Sequence, residues 1–320
     1  MCPLPFLCLK VFSFSSRNGD TMTLEKFAEK MRGNVEKRLP GIKVRVTQVR
    51  KNNGVKLTGL VFEAENTNIS PTVYMEEFYD SHHMGQTMDE LTDSVLDVYN
   101  RSVPKCSLNF DFFKEYDKVK DRIGFRLVNA RENKELLEQV PYIPYLDLAI
   151  VFFYALESEE LGEGTIQIYK NHMRLWKVTE EELYQTAMEN MPLICPPDFG
   201  PLADFILEMA GDMAPQDVSE EFCLAEPKLY VLSNDKHTHG AGTMLYPGVM
   251  EMIYKEISDN FYIIPSSVHE LIVWRDDGRM SPQELADMIT EVNHTQLRQE
   301  EILAHHPYYY DGKDKRILIF

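Results

Sequence analysis

The chain lacks the frames that most readily announce chemistry. It has no GxGxxG or Walker lysine loop to cradle a phosphate, no HExxH or CxxC to hold zinc, and no GxSxG elbow to expose a serine nucleophile. No apolar run approaches the ~18 residues that a membrane-crossing helix needs. The best, Leu146 to Leu156, is interrupted by Asp147 and short enough to be a buried strand or helix. Positive charge is scarce as well: 33 Lys and Arg stand against 51 Asp and Glu, a net charge of −18. A field of that sign repels phosphate backbones and anionic lipid, so neither nucleic acid nor membrane is an expected partner. The five cysteines (Cys2, Cys8, Cys106, Cys195, Cys223) are scattered and odd in number, which fits a reducing, cytoplasmic setting rather than a disulfide scaffold. No cofactor is implied.

What the chain does have is core-building material and helix punctuation. Hydrophobic residues make up 44% of 320, with 17 Phe and 16 Tyr, enough for two or three small domains. Thr87-x-x-Glu90, Thr179-x-x-Glu182 and Ser281-x-x-Glu284 each precede a helical apolar stripe that runs to Asn100, Asn190 or Asn293. Each is a capping box, in which the hydroxyl accepts from the third amide while the Glu reaches back to the cap's own N–H. The copies lie about a hundred residues apart and suggest repeated strand–helix units.

Leu24, Phe27, Ala28, Met31 and Val35 place a helix over Thr23 to Leu39, stopped by Pro40-Gly41. Asn52-Asn53-Gly54 between two β-rich runs predicts a hairpin, followed by a strand over Thr72 to Tyr79. Phe110 to Val119 reads as a helix, and Phe125 to Val128, Leu146 to Tyr154 and Thr165 to Tyr169 as strands. The second capped helix is expected to end before Pro192. The Pro- and Gly-rich stretch after it reads as linker around a helix at Leu202 to Met209. Strands at Leu229, Phe261, Leu271, Tyr308 and Ile317, with helices at Val249 to Ile257 and after Ser281, complete the chain. Segregated helices and successive strands predict an α+β fold with mostly antiparallel sheets. The expected domains are an N-terminal one over 22–104, a middle one over 105–210, an acidic linker at 211–225 and a C-terminal one over 226–320.

Residues 1–21 read as a non-native or disordered extension. Lys10 sits inside their apolar stretch instead of ahead of it, as a secretory signal requires. Gly19-Asp20 is encodable by a purine-rich ribosome-binding sequence just before Met22, the expected initiator.

Two constellations carry chemical vocabulary. Pro265 to Glu270 gathers Ser267, His269 and Glu270, the residue types of a hydrolase. In an extended strand, however, Ser267 and His269 stand about 6.6–7 Å apart and Glu270 points to the other face. Proton transfer needs base and nucleophile within about 3 Å. A Pro-Ser-Ser turn with a partly buried histidine explains the same residues. Asp235-x-His237-x-His239 can place three ligands on one strand face, but a closed zinc site wants a further ligand, and the stretch is rich in turn residues. A solvated hairpin tip is the preferred reading. Lys43, Arg45, Arg50, Lys51 and Lys56 form the one basic strand pair, which a solvated hairpin also explains. The run Tyr308-Tyr309-Tyr310 is a partner surface if exposed.

Several longer stretches resemble a bacterial family, domain-of-unknown-function family 5688, found in Firmicutes. They are Asn68-Ile69-Ser70-Pro71-Thr72-Val73-Tyr74, Val119-Lys120-Asp121-Arg122-Ile123, Asp147 to Phe152, Trp176 to Asn190, Leu245-Tyr246-Pro247-Gly248, Ile264 to Glu270 and Val292-Asn293-His294-Thr295-Gln296. The likeness runs from Met22 to Asp311 and departs at Ala304-His305-His306. It implies a bacterial cytoplasmic setting and no particular activity. The expectation is a non-catalytic interaction or regulatory protein with a protein partner. The alternative is a hydrolase or metal-dependent enzyme using the Pro265–Glu270 loop.

Overall fold

The computed structural model describes residues 22–64, 70–103, 110–158, 162–210 and 229–319. The N-terminal extension, Asn68-Ile69, the Pro104 boundary and the acidic linker lie outside these residues. Helices and open antiparallel sheets are combined in an α+β architecture. The chain divides into two compact units. One holds the described residues up to Phe110 together with Glu157–Gly162, and the other holds Asp111–Leu156 and Glu163–Phe320.

In the first unit the Thr23 hydroxyl accepts from the Lys26 amide and starts α1 (Leu24–Arg38), which buries Phe27, Ala28, Met31 and Val35. β1 (Ile42–Arg50) and β2 (Lys56–Ala64) pair antiparallel with Val44 opposite Phe62. The turn between them needs left-handed backbone at Asn53 (φ 55°) and Gly54 (φ 68°), the two residue types that adopt it most cheaply. β3 (Thr72–Tyr74) is shorter than the strand expected over Thr72 to Tyr79. The Met75 amide donates to the Thr58 carbonyl, and the Glu76 carboxylate accepts from the Thr58 amide at 2.6 Å. That double tie turns the chain into α2 (Glu76–His83). The Thr87–Glu90 capping box then opens α3 (Met88–Ser102), whose Leu91, Val95 and Tyr99 close the core over Leu60, Phe62 and Val73.

The second unit contains two sheets. The expected helix over Phe110 to Val119 is a 3-10 turn (Asp111–Lys114) and a short α4 (Tyr116–Val119), broken by extended backbone at Glu115. β4 (Ile123–Asn129), β5 (Tyr142–Tyr145) and β6 (Leu148–Ser158) lie in the order β4-β6-β5, and β7 (Gly162–Gln167) pairs with β6. α5 (Lys134–Leu137) and α6 (Lys170–Trp176) are short; α7 (Glu180–Ile194) opens with the second capping box. α7 runs past Pro192, because the Cys195 amide still reaches the Met191 carbonyl. The supposed linker contains β8 (Pro197–Pro201) and α8 (Leu202–Ala210). β8 keeps its prolines on the edge of a six-stranded sheet, the place where a missing N–H is tolerated.

That sheet runs β13-β12-β10-β11-β9-β8. Its strands are β9 (Leu229–Asn234), β10 (Phe261–Pro265), β11 (Leu271–Arg275), β12 (Tyr308–Asp311) and β13 (Arg316–Ile319). One core joins Phe125, Ile150 and Phe152 of the first sheet to Leu232, Phe261, Val273 and Tyr308 of the second, with Leu183 and Met191 of α7 and Ile253 of α9 (Val249–Ile257). The opposite face of the six-stranded sheet buries Tyr262, Ile264 and Ile272 under Leu285 and Ile289 of α10 (Pro282–Thr295), the third capped helix.

Candidate functional site

The geometry begins where β9 stops. Asn234 is fully buried, and its carboxamide oxygen accepts from the Lys236 and Thr238 amides while its Nδ2 donates to the Thr238 carbonyl. This local competition with the sheet ladder folds the chain into a turn. Asp235, His237 and His239 therefore do not share a strand face. Asp235 and His237 are exposed, with the His237 ring edge-on to Phe205 at 5.8 Å, while His239 turns inward. His237 (φ 48°) and His239 (φ 54°) both hold left-handed backbone, which costs a β-carbon residue energy. Among the described residues, no group of three or more His, Cys, Asp or Glu is placed to hold a metal ion.

The turn leads into Gly240, which opens a 3-10 segment (Gly240–Leu245) beside β4. A β-carbon at Gly240 would meet the Ser233 hydroxyl, the His269 carbonyl at 2.5 Å and the Asn234 amide at 2.8 Å. The absence of a side chain is what lets the turn press against the β10–β11 connection.

In that connection the Ser267 hydroxyl oxygen accepts from the His269 amide at 2.9 Å, and the Ser266 hydroxyl donates to the Glu270 carboxylate at 3.0 Å. The Ser267 amide donates to the Glu270 carbonyl, and the Ser233 hydroxyl to the His269 carbonyl. Among the described residues, the His269 ring is hydrogen-bonded to neither Ser267 nor Glu270. Its Nδ1 accepts from the His239 amide at 3.1 Å, and the two imidazoles stack with centroids 5.4 Å apart. The loop thus brings Ser267 and Glu270 together through backbone, and His269 together with His239.

Behind His239 stands Arg126, the one charged residue in the apolar strand β4. Its Nη1 lies 3.5 Å from His239 Nε2, and its Nη2 donates to Gln167 Oε1 at 2.7 Å. Gln167 is itself pinned, its Nε2 donating to the Phe152 and Ile168 carbonyls. Burial pushes the Arg126 guanidinium below its ordinary range. Burial, then the Arg126 and His269 charges, push His239 down to about 3, so its ring is neutral at physiological pH. With Nε2 turned to Arg126, the proton sits on His239 Nδ1, which is buried and has no partner. Sequence reading passed over Arg126. The signal was there: a lone arginine between Phe125 and Leu127 in a strand otherwise suited to a core.

Residues 24–312 match the sequence profile of a family of unknown function, DUF5688. The chain belongs to that family. The DUF5688 match begins at the first residue of α1 and ends one residue beyond β12, so it includes both units. No curated protein and no solved structure matches the chain.

A second polar cluster in this DUF5688 chain joins the β5–β6 turn to the segment before β12. Asp147 accepts from His306 Nε2 at 3.0 Å and from the Tyr308 hydroxyl at 2.8 Å. The Asp147 hydrogen bond leads in raising the His306 pKa. At Asp147 burial acts to raise the carboxyl, but the bonds from His306 and Tyr308 outweigh it and the net shift is downward. Both directions favour the charged pair. The Tyr308-Tyr309-Tyr310 run is not an exposed aromatic patch: Tyr308 and Tyr310 are buried, and the Tyr309 hydroxyl donates to Asp276. On the basic hairpin, Arg45 pairs with Glu63 and Lys51 lies over the Tyr74 ring.

Proposed function

We propose that the protein is a non-catalytic interaction or regulatory protein of the bacterial cytoplasm. The observation that carries this reading is the engagement of the hydrolase-like loop in its own fold. The Ser267 oxygen takes the His269 amide, Glu270 takes the Ser266 hydroxyl, and the His269 ring is held by His239. A nucleophile needs its base at about 3 Å, with a third group orienting that base. The hydrogen bonds made by these side chains support a structural use instead. The scattered cysteines, with Cys195 free and buried, support a reducing compartment.

The test sets binding against turnover. Purified protein is assayed on a panel of aryl esters, thioesters and phosphoesters, beside Ser267→Ala and His269→Ala. Indistinguishable background rates in all three support the reading. Turnover that disappears in Ser267→Ala overturns it and makes the Pro265–Glu270 loop an active site.

A further inference from the structure

We propose that Arg126, held in place by Gln167 and adjoining the His239–His269 pair through His239, receives the carboxylate of a small monoanionic ligand. The inference rests on the reading of the protein as a binding rather than a hydrolytic one, and it names the ligand class.

The argument starts from an uncompensated cation. Arginine is rarely buried unless paired, and an unpaired buried charge is costly. Acidic residues outnumber basic ones 51 to 33 in this chain, yet among the described residues no carboxylate pairs with Arg126. A guanidinium has five N–H donors. Here one Nη meets His239 and the other meets Gln167, which leaves the remaining donors without an acceptor among the described residues. Arg126 is also the one residue of β4 that is not fully buried, so the strand's only charge sits at its only partly exposed position.

The histidine stacked on His239 supplies a donor too. Because His269 Nδ1 accepts an amide proton, its other ring nitrogen, Nε2, is the one that donates, and it has no partner among the described residues. The unpartnered His239 Nδ1 is a second sign of a polar cluster short of acceptors, and such orphans in native structures call for an explanation. The surroundings are built rather than incidental. Gln167 is fixed from behind by two carbonyls, and the two left-handed histidines and Gly240 hold the turn against His269. Strained backbone of this kind gathers at ligand clamps.

The charge count selects the ligand. The permanent cation at the site is the single guanidinium of Arg126, a planar fork that matches a carboxylate. A phosphate dianion would want a second cation.

The full chain, with 15N-labelled histidine, is titrated at constant ionic strength by replacing sodium chloride with sodium acetate. The nine imidazole signals and thermal unfolding are followed together. The expected result is a saturable shift confined to His239 and His269, with half-saturation in the millimolar range and a rising Tm. Both responses should be absent from Arg126→Gln. Non-saturable shifts, shifts spread across all nine histidines, or an unchanged response in Arg126→Gln would overturn the site. If that variant does not fold, the distribution of wild-type shifts decides alone. A response to sodium phosphate equal to or larger than that to acetate overturns the monocarboxylate assignment. Loss of the acetate response leaves the non-catalytic reading intact, because the ester panel tests that separately.

Discussion

Replacing Gly240 with alanine adds one methyl group where the structure has no room for it. The new β-carbon would stand 2.5 Å from the His269 carbonyl oxygen and 2.8 Å from the Asn234 nitrogen, and would press on the Ser233 hydroxyl. Two of these three are backbone atoms of β9 and the β10–β11 connection, so neither can swing aside as a side-chain tip can. Overpacking of this kind costs about 1–3 kcal/mol. Separating the strands also breaks the 2.8 Å bond from the Ser233 hydroxyl to the His269 carbonyl, worth about 1 kcal/mol. The sum is about 3 kcal/mol, or a fall in Tm of roughly 6–12 °C for a unit of this size. Gly33→Ala is the matched control. Gly33 lies within α1 with nothing within 4 Å of its would-be β-carbon, and the change should stabilise by about 0.5–1 kcal/mol. Urea unfolding monitored for each unit's own transition reads both. A Gly240→Ala protein within about 0.5 kcal/mol of wild type would refute the close approach that defines the site.

The Asp147–His306 pair predicts a pH dependence of stability in two windows. The folded His306 pKa is raised above its ordinary value, so its contribution is complete below pH ~6.5 and is lost as pH rises through the raised value. The folded Asp147 pKa is lowered, so its contribution is present above pH ~3.9 and is lost as pH falls through the lowered value. Asp147→Asn should flatten the alkaline-side slope in denaturation measured from pH 5 to 9; an unaltered slope would exclude the pair as its origin. Ser281→Ala removes the hydroxyl that accepts from the Glu284 amide and should cost about 1 kcal/mol, measured as a shift in the urea midpoint. No shift would mean that the helix start is set by Pro282 alone.

The features that could be read from the sequence were those whose cause lies within a few residues. All three capping boxes form, because hydroxyl and carboxylate are placed by helix geometry alone. The Asn53-Gly54 hairpin forms because the turn chemistry is local. Where distant partners decide, the reading failed. Tyr79 looks like a strand residue until Thr58 captures Met75 and Glu76. β8 looks like a linker until β9 offers an edge. The turn that keeps Asp235, His237 and His239 off one strand face is, by contrast, local and was legible in the turn-rich stretch after Asn234. The pairing of His239 with His269 and Arg126 joins residues 30 and 113 positions apart, which no spacing within the sequence could disclose.

The Asp147–Tyr308 bond spans 161 positions of the chain. On a ribosome adding about 10 residues each second, Asp147 waits roughly 16 seconds before its partner is even polymerised. Phe125, Ile150 and Phe152 share their core with Phe261, Val273 and Tyr308, so α7 can cover only part of that apolar face until the last strands are made. The second unit therefore completes only when its last strands arrive, and the interval before then is when chaperones have most reason to hold it.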